Sequence, residues 1–135
     1  MKTACVPNGS PDSTVKWLLD TNILIDFLNG IPAAREILER EEASAISRIT
    51  WMEVMAGAVD AREDKALRGW LARFEVLPVD EQVADEAVAI RRSDRLRLPD
   101  AIIRATARTS DRILVTRNTR DFPPDAPDVY LPYRL

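Results

Sequence analysis

The sequence predicts an α/β domain built around a parallel sheet, and three observations support this fold class. Short apolar segments typical of buried strands alternate with segments whose apolar residues recur at helical spacing. The strand segments are separated by these helical stretches rather than by tight hairpin turns, which favours parallel pairing. The 135 residues, 46% hydrophobic and 30% charged, suit one globular domain with an ordinary core.

The first predicted elements are a strand at Trp17–Asp20 and a helix that Thr21 or Asn22 caps. Gly30 is expected to end this helix, and Pro32 to begin another that runs to about residue 42. The remaining predicted elements, in chain order, are a weak strand at 43–46, a helix from Ser47 through Met55, a helix at 62–74, a strand at 76–79, a helix at 81–93 capped by Asp80, a helix from Pro99 to about 109, a strand at 112–116 and a short strand at 129–131.

We expect a polar, flexible leader at residues 1–16 and a single domain at residues 17–135. The leader contains Pro7, Gly9 and Pro11 and lacks the apolar stretch of a secretory signal peptide. No apolar run approaches the ~20 residues that a membrane helix requires. We therefore expect a cytoplasmic protein without membrane attachment.

The chain contains no histidine and one cysteine, Cys5. These absences exclude Ser-His-Asp and Cys-His nucleophile pairs and zinc sites with histidine ligands. Any enzymatic chemistry must then depend on carboxylates, hydroxyls, Lys, Arg or a cofactor. Because carboxylates are hard oxygen ligands, a bound metal is expected to be Mg²⁺ or Mn²⁺.

Positive charge is concentrated in one part of the chain. Residues 91–120 contain nine arginines and three aspartates, a local charge of +6 in a chain whose net charge is −3. Two interpretations stay open: a solvated helix face with local ion pairs, or a surface for a phosphate-rich partner.

Four carboxylates, Asp20, Glu53, Asp100 and Asp121, are predicted near the carboxyl edge of the sheet, where ligands of open α/β folds bind. Each has a structural alternative: a turn at Asp20, a capping box at Thr50–Glu53, pairing of Asp100 with Arg104, and a cap at Asp121. Four carboxylates at one edge would repel one another unless a cation offsets them. A divalent metal there provides a route to phosphodiester hydrolysis without histidine.

The motifs that carry these acids resemble those of PIN-domain proteins, and more narrowly the VapC toxins of type II toxin–antitoxin systems. The resemblance runs from about Trp17 to Pro132, and its four motifs occur in the order of the family: Leu18–Asn22, Ile49–Glu53, Leu98–Ile103 and Val115–Phe122.

The resemblance implies a three-layer α/β/α sandwich and an endoribonuclease that depends on Mg²⁺ or Mn²⁺. It implies that Asp20 and Asp100 ligate the metal directly, and that Glu53 and Asp121 place a second ion or the attacking water. The polar residues that it implies orient these acids are Thr21, Asn22, Thr116 and Asn118. It further implies a homodimer, a cognate antitoxin that blocks the site, and an RNA substrate such as a tRNA or a ribosomal RNA.

Three further residues are assigned from the sequence, and two functions other than an endoribonuclease stay open. Asp26 and Asp94 match no motif position and are interpreted as surface residues. Trp51 either packs in the core with the other tryptophans or stacks on an RNA base. The alternative functions are a non-catalytic PIN-fold module that binds a partner, and a phosphate-handling switch domain. The switch domain requires a lysine late in the chain, whereas the only lysines are Lys2, Lys16 and Lys65.

Overall fold

The computed structural model describes residues 15–135, which form a five-stranded sheet and six helices. The strands are β1 (Trp17–Leu19), β2 (Ala45–Ser47), β3 (Glu75–Leu77), β4 (Ile113–Val115) and β5 (Val129–Tyr130). The helices are α1 (Thr21–Leu28), α2 (Pro32–Leu38), α3 (Arg48–Met55), α4 (Ala61–Leu71), α5 (Glu81–Asp94) and α6 (Leu98–Thr109). All strand pairs are parallel and their order is β3-β2-β1-β4-β5, which confirms the predicted α/β class.

Helices cover both faces of the sheet. Trp17 and Leu19 of β1 pack with apolar residues of α1 to α4, while Leu18 packs with apolar residues of α5 and α6. This alternation follows from the period of two in a strand, and all three side chains are fully buried. The molecule is therefore the three-layer α/β/α sandwich that the sequence predicted.

The direction of strand addition reverses beside β1. The chain adds β2 and then β3 on one side of β1, and afterwards crosses to add β4 and β5 on the other. Leu19 pairs with Val115, and the Asp20 amide donates to the Val115 carbonyl at 2.9 Å. Residues 20 and 116 thus leave the sheet side by side, at the point where ligands bind in open α/β sheets.

Three local predictions were wrong. Helix α4 ends at Leu71 rather than near residue 74, because the Phe74 amide bonds the Leu71 carbonyl in a tight turn that leads into β3. The cap of α1 is Asp20, whose carboxylate accepts a hydrogen bond from the Thr21 amide at 2.8 Å, rather than Thr21 or Asn22. Helix α2 ends at Leu38 rather than near residue 42, because the Arg40 amide already bonds the Ile37 carbonyl in a tightened last turn.

Most of the predicted leader, including Cys5, lies in residues 1–14, outside the described residues. Val15 packs against the core on the side of α1 to α4, and the Lys16 carbonyl accepts from the Ile113 amide at 3.0 Å. The boundary of the leader therefore stays a prediction. None of the helices in residues 15–135 is long and apolar enough to cross a membrane.

Candidate active site

Three of the four predicted carboxylates line one cavity at the carboxyl edge of the sheet. Asp20 follows β1, Glu53 lies in α3, and Asp100 lies in the first turn of α6. All three line a cavity of about 420 Å³. Asp121, in the loop after β4, is not part of that lining, but its negative charge acts on Asp100. The structure thus brings the acids together from four separate segments of the chain.

Asp20 is a buried carboxylate held by three hydrogen-bond donors. Its Oδ1 accepts from the Thr21 amide at 2.8 Å. Its Oδ2 accepts from the Thr116 hydroxyl at 2.7 Å and from Asn22 Nδ2 at 3.3 Å. The residue is only 4% exposed. These contacts fix the direction of the carboxylate at the bottom of the cavity.

The cavity disfavours the negative charge of Asp20. Burial raises the pKa of Asp20 to about 6, the hydrogen bonds from Thr116 and Thr21 oppose this rise, and the charges of Asp100 and Glu53 add to it. An acid that is this crowded by other acids is stabilised in its ionised form by a cation. The electrostatics of the cavity therefore favour binding of positive charge.

Glu53 is oriented by a hydroxyl of α1. The Thr21 hydroxyl donates to Glu53 Oε1 at 2.6 Å, and the Thr21 and Thr50 hydroxyl oxygens lie 3.0 Å apart. The cap of α3 is Ser47, whose Oγ accepts from the Ile49 amide at 3.0 Å. The capping-box alternative for Glu53 is therefore wrong, since this side chain lies beyond the first turn of α3.

Asp100 has an unsatisfied oxygen. Its buried Oδ2 has no hydrogen-bond partner within residues 15–135, and the nearest cation, Arg97 Nε, lies 3.8 Å away. Burial raises the pKa of Asp100, and the charges of Asp121 and Glu53 add to the rise against the opposing charge of Arg97. The proposed pairing with Arg104 does not occur. A buried carboxylate oxygen that accepts no hydrogen bond is costly unless a group outside the protein chain, such as water or a cation, satisfies it.

The loop after β4 holds Asp121. Asn118 Nδ2 donates to Asp121 Oδ2 at 3.0 Å, and the Asp121 amide donates back to Asn118 Oδ1 at 3.2 Å. The Asn118 amide in turn donates to the Thr116 hydroxyl at 3.0 Å. Thr116 and Asn118 therefore contact the acids directly in addition to shaping the turn.

The donor set suits a hard divalent cation that keeps much of its own water. Within the described chain, no group of three or more Asp, Glu, His or Cys side chains is arranged to hold a metal ion by itself. Mg²⁺ usually takes only one or two protein carboxylates and retains several waters. The unpartnered Oδ2 of Asp100 and the crowded carboxylate of Asp20 fit that requirement, as they fit Mn²⁺.

Six of the nine arginines in residues 91–120 form ion pairs, and they fall into two groups. The first group binds carboxylates within the fold: Arg104 binds Asp94 and Asp128, Arg108 binds Glu86 and Asp128, Arg112 binds Glu75, and Arg117 binds Asp26. Local ion pairing is therefore correct for these four. Arg97 and Arg120 differ, since their side chains are 79% and 84% exposed beside Asp100 and Asp121.

A larger cavity, of about 580 Å³, lies away from the acids. Arg104, Arg108 and Arg112 line it together with residues that precede β4 and β5, at the amino edge of the sheet. The guanidinium groups there are already engaged by carboxylates. Arg112 Nε in the larger cavity, like Asp100 Oδ2 in the acidic one, is buried without a hydrogen-bond partner among the described residues. The acidic cavity is distinguished instead by its converging carboxylates and by the polar side chains that bind them.

The interpretation of Asp26 as a surface residue was wrong. Its side chain is buried and binds Arg117 and Tyr133. The one sequence signal was its position four residues after Asn22, on the same face of α1.

Asp94, in contrast, is exposed as predicted. Trp51 is partly buried against the core beside α1 to α4, with the guanidinium groups of two arginines over its ring.

Comparisons with known proteins bear on this site. The PIN domain family model matches residues 17–123. The chain is 34% identical over 119 residues to the tRNA(fMet)-specific endonuclease VapC of Shigella flexneri, covering 80% of this chain and 90% of that protein. It is 36% identical over 114 residues to Ribonuclease VapC10 of Mycobacterium tuberculosis, covering 78% of this chain and 85% of that protein.

Two solved structures are similar over most of their length. A chain of the toxin–antitoxin complex from Klebsiella pneumoniae superposes with a TM-score of 0.81 and 42% identity, covering 89% of this chain and 100% of that one. A chain of the DNA-bound VapBC from Salmonella typhimurium superposes with a TM-score of 0.72 and 27% identity, covering 89% of this chain and 98% of that one.

Proposed function

Because this chain belongs to the PIN domain family, we propose that it is a VapC-type endoribonuclease, the toxin of a toxin–antitoxin pair. The names of its relatives support this proposal: an endonuclease specific for tRNA(fMet), a ribonuclease, and a chain of a toxin–antitoxin complex. The structural observation that carries it is the unpartnered Oδ2 of Asp100 in a cavity that Asp20 and Glu53 also line. The proposed substrate is RNA, such as a tRNA or a ribosomal RNA.

We propose that Asp20 and Asp100 hold Mg²⁺ or Mn²⁺ directly, and that Glu53 and Asp121 act through water. Such an ion, when bound, lowers the pKa of water and offsets negative charge on a phosphate. Its charge also favours ionised Asp20, whose pKa burial raises to about 6. Thr21, Asn22, Thr116 and Asn118 orient the acids through the contacts described above.

The reaction proposed for these residues is hydrolysis of a phosphodiester bond. The oxygen of a water molecule bonds to phosphorus while the bond from phosphorus to the 3′-oxygen breaks. The departing 3′-oxygen takes up a proton from solvent, which gives a 3′-hydroxyl beside the new 5′-phosphate. The proton lost by the attacking water is taken up by a carboxylate. Glu53 suits that role, because it is exposed at the mouth of the cavity and held by the Thr21 hydroxyl at 2.6 Å.

Arg97 and Arg120 are the proposed contacts to the RNA backbone near the acids. Their guanidinium groups are mostly exposed, and each lies 3.8 Å from the carboxylate beside it. An exposed ion pair of this length contributes little to stability, so either arginine can turn to a phosphate at small cost.

A cognate antitoxin is the proposed protein partner. Ile25 lines both the acidic cavity and a neighbouring cavity of about 490 Å³. The neighbouring cavity contains exposed apolar side chains such as Leu28. A segment bound in it would lie next to the acids, where it could obstruct RNA. We further propose that the protein forms a homodimer and acts in the cytoplasm.

Cleavage of total bacterial RNA by the antitoxin-free protein tests the proposed function. We expect discrete fragments in Mg²⁺ or Mn²⁺, none in EDTA, and new termini with 5′-phosphate and 3′-hydroxyl groups. If the protein binds its antitoxin but cleaves no RNA with either metal, the chain is a non-catalytic PIN-fold module.

A further inference from the structure

We propose that Arg117 and Tyr133 form a clamp around the buried carboxylate of Asp26, and that this clamp positions Asn22 and Thr116, and through them the Asp20 carboxylate. The three clamp residues lie in separate segments: α1, the loop after β4, and the tail after β5. None belongs to the acidic quartet. The inference rests on the proposed function, because it assigns the clamp a role in the same metal-dependent site.

The clamp is a bidentate ion pair to a buried carboxylate, with a third hydrogen bond. Arg117 Nε donates to Asp26 Oδ2 at 2.7 Å, and Arg117 Nη2 donates to Asp26 Oδ1 at 2.9 Å. The Tyr133 hydroxyl donates to the same Oδ2 at 2.7 Å. Asp26 is 4% exposed. Both carboxylate oxygens are thus satisfied, in the planar geometry that distinguishes arginine from lysine.

Asp26 and Arg117 of the clamp stay charged. Burial disfavours ionised Asp26, but the hydrogen bonds from Arg117 and Tyr133 outweigh it and hold the pKa of this carboxyl below its ordinary value. Hydrogen bonding to Asp26 likewise raises the pKa of Arg117. The pair therefore remains a rigid ionic contact throughout the neutral pH range.

The position of the clamp connects it to the acidic cavity. Asn22 and Asp26 lie four residues apart on one face of α1, and Arg117 contacts both. Its guanidinium binds Asp26, while its backbone amide donates to Asn22 Oδ1 at 3.2 Å. This second bond leaves Asn22 Nδ2 facing Asp20 Oδ2 and the Thr116 hydroxyl, each at 3.3 Å.

The loop that Arg117 anchors also carries a second hydrogen-bond donor to Asp20. Thr116, the preceding residue, donates to Asp20 Oδ2 at 2.7 Å. Two of the three donors to the Asp20 carboxylate therefore depend on where Arg117 is held. Tyr133, in the segment after β5, donates to the same Asp26 carboxylate. Three segments of the chain therefore meet at this one buried carboxylate. Asp26 and Arg117 also line the acidic cavity.

The test compares Asp26→Asn with Asp128→Asn. Asp128 is a matched control, because it also binds arginines, Arg104 and Arg108, but lies at the amino edge of the sheet. We expect Asp26→Asn to lower kcat for RNA cleavage about 10- to 100-fold with little change in KM, and to weaken Mn²⁺ binding measured by calorimetry. Asp128→Asn should lower Tm but leave kcat and the Mn²⁺ affinity unchanged.

Conservative variants cover the possibility that Asp26→Asn does not fold. Tyr133→Phe removes one hydrogen bond and should reduce kcat and Mn²⁺ affinity in the same direction by a smaller factor. Arg117→Lys keeps the positive charge but loses the bidentate contact. Its kcat and Mn²⁺ affinity should therefore also fall below the wild-type values.

The outcomes separate the clamp from the proposed function. If the wild type cleaves RNA and binds Mn²⁺ while every clamp variant that folds changes only Tm, the clamp is merely structural and the inference is overturned. If the wild type neither cleaves RNA nor binds Mn²⁺, the proposed function fails, and the positioning role fails with it.

Discussion

The hydroxyl of Thr116 donates a 2.7 Å hydrogen bond to Asp20, across 96 residues of sequence. The contact exists because β1 and β4 are parallel neighbours, with Leu19 opposite Val115. The residues that follow each strand therefore leave the sheet together. This bond is the most direct link between the order of the strands and the charge state of the acidic cavity.

Removing the Thr116 hydroxyl should shift the pH dependence of RNA cleavage. Thr116→Val deletes a donor to ionised Asp20, so the pKa of that carboxyl should rise further. Loss of a hydrogen bond to a charged group corresponds to a pKa shift of roughly one unit. The acidic limb of the pH–rate profile should therefore move to higher pH by about that amount. Thr116→Ser retains the hydroxyl and should keep the wild-type profile. Coincident profiles for the valine and serine variants would contradict this role.

Asp20→Asn should stabilise the metal-free protein at neutral pH. Burial raises the pKa of folded Asp20 from 3.8 to about 6, so the folded state binds protons more tightly than the unfolded state. The stability contributed by protonated Asp20 is fully present below pH 3.8 and is lost as the pH rises through 6.

The pH window gives this prediction a sign. In EDTA at pH 8, Asp20→Asn should melt at a higher temperature than the wild type. Its free energy of unfolding should be larger by a difference on the order of 3 kcal/mol. The advantage should vanish near pH 3.5, where Asp20 is protonated in both states. A lower Tm for the variant at pH 8 would show that the cavity does not disfavour the carboxylate.

Asp128→Ala should destabilise the fold without affecting catalysis. Asp128 accepts from Arg104 at 3.1 Å and from Arg108 at 3.0 Å, and Arg104 is buried. Removing the carboxylate leaves the buried Arg104 guanidinium with Asp94 alone, at 3.5 Å, which costs about 3 kcal/mol. Urea unfolding at 25 °C measures the loss, and a change below about 1 kcal/mol would contradict it. The folded fraction should cleave RNA at the wild-type rate.

The fold was predictable because its signals are local. Apolar spacing, Pro32, Ser47 and Asp80 mark elements within a few residues of themselves, and the structure places helices and strands close to those marks. The acids were predictable because their motifs resemble those of a family. The structural alternatives for Glu53 and Asp100 could be excluded only from contacts, such as the Ser47 cap that replaces a capping box at Glu53.

The long-range ion pairs were not predictable from the sequence. Asp26 lies on a short amphipathic helix, and its burial depends on Arg117, 91 residues later, and on Tyr133, 107 residues later. Nothing within a few residues of Asp26 reveals those partners. For the same reason, the charge of residues 91–120 did not show which arginines are free and which neutralise carboxylates elsewhere in the fold.

Arg97 and Arg120 should account for part of the salt dependence of RNA binding. Each contact to a single-stranded phosphate contributes a slope of about −0.7 in log K against log salt concentration. Replacing both arginines by alanine should therefore flatten the slope by about 1.4. Arg108→Ala, at the opposite edge of the sheet, serves as the control and should leave the slope unchanged. Equal slopes for the double variant and the wild type would exclude these arginines as phosphate contacts.

Calorimetric titration of Mn²⁺ into the antitoxin-free protein tests the central claim most directly. The cavity of Asp20, Glu53 and Asp100 should bind the ion in the wild type and in Asp128→Asn. Asp100→Asn should lose this binding, together with RNA cleavage, while retaining a cooperative melt. Unchanged Mn²⁺ affinity in folded Asp100→Asn would contradict the proposal that the unpartnered oxygen of Asp100 is a metal ligand.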